Sequence, residues 1–60
     1  MTIPPTPKQQ RVLDFIRSYF ARFHRSPSFY EIRMNAGVRS LATVYKIVGA
    51  LESRGWIRQT

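Results

Sequence analysis

Between Ser28 and Gly55 hydroxyl and cationic side chains recur at helical spacing: Ser28, Tyr30, Arg33, Arg39, Ser40, Thr43, Tyr45, Lys46, Ser53 and Arg54. Guanidinium, ammonium and hydroxyl groups donate hydrogen bonds to anionic oxygens and to the polar edges of bases, so this is the chemistry of holding a polyanion. Catalysis has little to draw on, because the whole chain carries only three acids, one histidine and no cysteine. A glycine-rich phosphate loop is also missing, so no catalytic residue, no metal site and no cofactor are expected.

The charge supports the same reading. Ten Lys and Arg give a net charge of +7, and they are spread along the chain at Lys8, Arg11, Arg17, Arg22, Arg25, Arg33, Arg39, Lys46, Arg54 and Arg58. The field of such a surface attracts polyanions, with nucleic acid the expected partner. Hydrophobic residues make up 43% of the chain, too many for a disordered basic tail. Sixty residues form one domain, which buries about 60% of the surface its unfolded chain exposes, and without cysteine its core rests on helix packing alone. The longest apolar runs fall far short of the roughly 20 residues needed to span a bilayer, and no leader pattern precedes the fold. The expectation is an intracellular protein of the cytoplasm, associated with the nucleoid, with no membrane partner.

Three elements are needed to position the hydroxyls and cations. Residues 1–6 hold Ile3-Pro4-Pro5-Thr6, which reads as an extended proline-rich arm, and residues 7–60 as the domain. Thr6 caps a first helix, with Pro7 at its first position and Gln9 completing a capping box. Val12, Leu13, Ile16, Phe20 and Phe23 mark its apolar face from about Pro7 to Phe23, and Asp14 pairs with Arg17 on the outer side. His24, Arg25, Ser26 and Pro27 break the pattern. A lone histidine there makes no site, and exposure or a charge favourable to the helix dipole is the expectation.

Ser28 caps a second helix with Glu31 as its reciprocal partner, Phe29, Ile32 and Ala36 facing inward, and Gly37 as its left-handed stop. Val38 plugs the turn. Ser40 caps a third helix running to about Arg54, with Val44, Ile47, Val48 and Leu51 inward, and Gly55 ends it. The opposite face is left with Ser40, Ala42, Thr43, Tyr45, Lys46, Gly49 and Ser53. Trp56, Ile57 and Arg58 alternate as a short strand does. On a basic chain this order of signals is a helix-turn-helix that meets DNA phosphates.

The residues Gln9-Gln10, Val12, Asp14 to Arg17, Ser26 to Ser28, Glu31-Ile32, Gly37, Arg39-Ser40, Ala50-Leu51, Gly55 and Ile57 together form a specific signature. On them, the chain from Thr6 to Ile57 resembles, without a gap, the amino-terminal winged-helix domain of the LexA repressor family. The resemblance implies a mainly α fold: a three-helix winged helix-turn-helix with a short, truncated β wing. It also implies a transcriptional repressor or related regulator that binds duplex DNA sequence-specifically, with the third helix in the major groove. Ser40, Ala42, Thr43, Tyr45 and Lys46 would read base edges, and Ser28, Tyr30, Arg39, Arg54 and Arg58 would hold the backbone. Lys46 suits guanine O6 and N7, and Ala42 or the Thr43 methyl suits a thymine methyl.

The chain departs from the family in several places. Acidic residues usually stand where Tyr45 and Lys46 are, so an operator other than the usual SOS box is implied. Arg33 occupies the position four before the turn glycine, normally a small residue; either its stem snorkels outward or the helices cross more widely. Ala36 replaces a bulky aliphatic and is expected to leave a gap. The self-cleaving Ser-Lys peptidase that also dimerises full repressors does not fit in 60 residues, so an excised domain or a small stand-alone regulator is implied. A homodimer through the wing edge and Trp56 is one expectation, and Trp56 as a lid over the core another. The competing functions are a protein-interaction module using the wing, Tyr30, Met34 and Trp56, and non-specific nucleic-acid coating.

Overall fold

The computed structural model describes residues 4–57, and these form three helices: α1 (Pro7–Phe23), α2 (Phe29–Asn35) and α3 (Leu41–Ser53). Each begins where a side-chain oxygen satisfies N–H groups that the first turn leaves without partners. In α1 the Thr6 hydroxyl accepts from the Gln9 amide at 3.2 Å, and Gln9 Oε1 accepts from the Thr6 amide at 3.0 Å. In α2 the same box joins Ser28 and Glu31, at 3.1 and 3.0 Å. Ser40 caps α3, its Oγ accepting from the Thr43 amide at 3.2 Å.

The ends are equally local. Gly37 and Gly55 hold φ of +67° and +79°, and beyond them Val38 donates to the Arg33 carbonyl and Trp56 to the Leu51 carbonyl. These are Schellman closures, in which the left-handed residue turns the chain back over the last helical turn. His24 closes α1 with φ of +57°, donating to the Phe20 carbonyl at 2.8 Å. Its role is therefore that of a helix stop, in a conformation that costs a residue with a Cβ.

All three helices pack on one another around Val12, Leu13, Ile32, Ala36, Val44, Ile47, Val48 and Leu51. Trp56 and Ile57 pack against this cluster as a half-buried lid, and Val38 plugs the turn between α2 and α3. Ala36 is itself a core residue; a small cavity beside the core lies instead among Ile16, Pro27, Phe29, Ile32, Val48 and Ile57. Arg33 is half-buried, as a stem that snorkels along the helix surface requires.

The apolar face of α1 differs from the expected one. Phe20 and Phe23 are 54% and 49% exposed, whereas Tyr19 is buried. With 17 residues α1 is about 25 Å long, far longer than α2, and Tyr19 lies near its carboxy-terminal end. Tyr19 is covered there by Phe15 and Phe23, at ring-centroid distances of 5.8 and 4.6 Å, and by the Arg25 guanidinium over its face at 5.2 Å. Phe20 borders a groove with Ile16, Trp56 and Ile57. Asp14 accepts from Gln10 Nε2 at 2.8 Å rather than pairing with Arg17.

The described residues contain no strand. Trp56 and Ile57 follow the α3 closure as bent chain, because the strand expected there has no described neighbour to complete a ladder. Residues 1–3 of the arm and Arg58 of the wing lie outside the described residues.

Candidate nucleic-acid interface

Turning Val44, Ile47, Val48 and Leu51 into the core leaves Ala42, Tyr45, Lys46 and Gly49 exposed on the other side of α3. Their spacing of three, four and seven residues makes one stripe, about 10 Å long at 1.5 Å per residue. Arg39, in the turn ahead of α3, is exposed at the amino end of the stripe.

Ser40 and Thr43 stand beside it, half-buried and already engaged. Their hydroxyls are 3.1 Å apart, and Ser40 Oγ also accepts from the Thr43 amide. One hydroxyl proton satisfies the pair, so the other remains able to donate outward. The site can therefore offer an ammonium, a phenol, a hydroxyl proton and a methyl within two helical turns.

Tyr45 is 65% exposed, with one side of its ring against a neighbour. Phe29, the first residue of α2, meets it edge-on with centroids 4.5 Å apart and planes at 81°. The geometry is that of a favourable aromatic pair, and it joins the start of α2 to the middle of α3. Ser28 and Tyr30 flank Phe29 in the chain; Ser28 is exposed with its Oγ used in the cap, and Tyr30 is 62% exposed. Met34, also outward on α2, is 75% exposed.

The α2 cap has an electrostatic frame. Glu31 is held below the ordinary carboxylate range, first by the Ser28 backbone N–H and then by the Tyr19 hydroxyl. Tyr19 is pushed up by burial first, and next by its hydrogen bond to Glu31. Arg25 faces both groups, so a cation is stationed at the loop leading into α2.

Two expected backbone contacts fall elsewhere. Arg54 caps the far end of α3, about 20 Å along the axis from Ser40, where its Nη1 reaches Gln9 Oε1 at 3.4 Å. Arg58 lies outside the described residues. The structure thus gathers Arg39, Ser40, Ala42, Thr43, Tyr45 and Lys46 with the first turn of α2, and sets Arg54 apart. Sequence reasoning placed Phe29 in the core but missed its hold on Tyr45, and it missed the placement of Arg25. The first contact depends on how α2 crosses α3, and the second on how the chain turns back after the left-handed His24.

The family model described as the LexA DNA binding domain matches residues 3–60. The chain belongs to this LexA family. It is 47% identical over 53 residues to the LexA repressor of Syntrophobacter fumaroxidans, a match covering 88% of this chain and 26% of that protein. It is 43% identical over 54 residues to the LexA repressor of Koribacter versatilis, covering 90% and 26%. With the LexA repressor of Pelotomaculum thermopropionicum the identity is 37% over 59 residues, covering 98% and 29%. The chain thus spans about a quarter of the length of these curated relatives. No solved structure gives a significant match. In this LexA-family domain, no helix among the described residues is long and apolar enough to cross a membrane.

Proposed function

We propose that this domain binds duplex DNA sequence-specifically, with α3 in the major groove, and acts as a LexA-like repressor or regulator in the cytoplasm, on the nucleoid. The observation that carries the reading is the stripe of Ala42, Tyr45, Lys46 and Gly49, exposed on a helix whose other face is the core. Ser40, Ala42, Thr43, Tyr45 and Lys46 read base edges, with Lys46 donating to guanine. Ser28, Tyr30 and Arg39 hold phosphates near the helix-turn-helix, while Arg54 and Arg58 do so through the carboxy-terminal side of the domain. The short wing belongs to this reading as a further backbone contact. The proposed role of these residues is one of binding, without a cofactor.

Selection of bound sites from a random duplex pool at near-physiological salt tests the proposal. An inverted repeat supports a homodimer, for which Trp56 and the wing edge are the proposed contact; sedimentation of the protein as a monomer at high micromolar concentration would remove that contact. Contact with about five phosphates gives a slope of log affinity against log salt near −4 to −5. A flat salt response points instead to a protein partner at Tyr30, Met34 and Trp56, and a steep one with no enriched site to non-specific coating.

A further inference from the structure

We infer that Tyr45, held by Phe29, is a sensor for the C5-methyl group of a pyrimidine in the major groove, an inference that rests on the DNA-binding reading above. A side chain that is 65% exposed normally samples several rotamers, and binding has to immobilise it. Here the edge-on contact at 4.5 Å favours one orientation in advance, by about fivefold. Phe29 itself is anchored, because it packs against the core cluster and lines the small cavity with Ile32 and Val48. A partly preorganised aromatic ring is thus carried on the outward face of α3, its plane at 81° to that of Phe29.

Its neighbours on that face define what it suits. Ala42, one turn before, and Gly49, one turn after, are exposed and nearly featureless, so the held ring stands beside a shallow apolar step. A ring that served only to bring a hydroxyl to a phosphate would need neither the step nor the clasp. The thymine C5-methyl is the apolar group on the major-groove edges of base pairs, so it is the group that matches such a step. Lys46 stands next to Tyr45 and one turn from Ala42, which sets a donor for guanine beside the methyl recess. The subsite would therefore take a thymine next to a guanine.

Phe29 is a positioning residue and Tyr45 the reading one. The test starts from the duplex enriched by random-pool selection and replaces its thymines one at a time by deoxyuridine, which deletes only the methyl. Affinities are measured by fluorescence anisotropy at fixed salt. At one thymine of each site the wild-type protein is expected to bind the deoxyuridine duplex about fourfold more weakly, the value of one buried methyl-sized group. Y45A is expected to bring this ratio to one, Y45F to keep it, and F29L to bring it below about twofold, since leucine keeps the packing but not the ring edge. Should F29L fail to fold by circular dichroism, the exposed Tyr45 variants decide alone. An enriched site without thymine, equal binding to every deoxyuridine duplex, or a fourfold ratio surviving in Y45A overturns the inference while sequence reading stands. Failure to enrich any duplex overturns sequence reading and this inference together.

Discussion

Replacing Lys46 by alanine separates base reading from simple attraction to phosphate. Lys46 is exposed on the α3 stripe, and the acids of the chain, Asp14, Glu31 and Glu52, are on other helices or more than a turn away. Lysine and alanine are both strong helix formers, so the stability change is expected to stay within about 0.5 kcal/mol. The effect therefore falls on DNA. A side chain donating to guanine O6 and N7 contributes roughly 1 to 3 kcal/mol of discrimination, which corresponds to about 5- to 150-fold. Anisotropy titrations of wild type and K46A would be run on the selected duplex and on each single-base-pair variant of it, at several salt concentrations. The expected result is a loss of preference at one or two adjacent base pairs, with other positions discriminated as before. Uniform weakening on every duplex, with the salt slope reduced by about one, would mean that Lys46 contacts phosphate and would refute its assignment as a base reader.

Other expectations concern the frame that holds the stripe. Glu31 has a depressed pKa, so its share of stability is present above the ordinary carboxylate value of about 4.5 and is lost as pH falls through its folded value. Thermal melts between neutral and acidic pH are expected to show a fall at the acid end that flattens in E31Q. Tyr19, with its raised pKa, acts with the opposite sign: its share is present below about 10 and is lost above it, so Y19F is expected to resist alkaline melting better than wild type. Replacing His24 by glycine relieves a left-handed φ of +57° and is expected to stabilise the domain by about 0.5 to 1 kcal/mol in chemical denaturation. Gly37→Ala is expected to destabilise by roughly 1 kcal/mol through backbone conformation alone, since a Cβ there meets nothing within 4 Å and φ is +67°. A neutral result would show that the turn shifts to accommodate it.

Much of this molecule is legible in its sequence because much of it is local. The boxes Thr6–Gln9 and Ser28–Glu31, the Ser40 cap and the stops at Gly37 and Gly55 each involve residues a few positions apart, and all appear in the structure. The inward face of α3 follows from periodicity with no ambiguity, since Val44, Ile47, Val48 and Leu51 are its apolar stripe. The outward stripe, and hence the candidate reading face, is its complement.

Helical periodicity could not decide between Tyr19 and Phe20 on α1. Both lie within one broad apolar arc, and the one that is covered is the one that Phe15, Phe23 and the Arg25 guanidinium meet. The wing had the same character, because alternation at Trp56 and Ile57 makes a strand only when another strand is there to pair with it. Sequence alone determined the helices, their caps and the face of α3 that looks outward, since those are set within a turn or two of chain. The tertiary structure alone decided that Arg25 faces Tyr19 and Glu31, that Arg54 reaches Gln9, and that Phe29 pins Tyr45. The contacts of Arg54 with Gln9 and of Phe29 with Tyr45 join different helices and exist only once the helices cross, while that of Arg25 depends on how the loop folds back after α1.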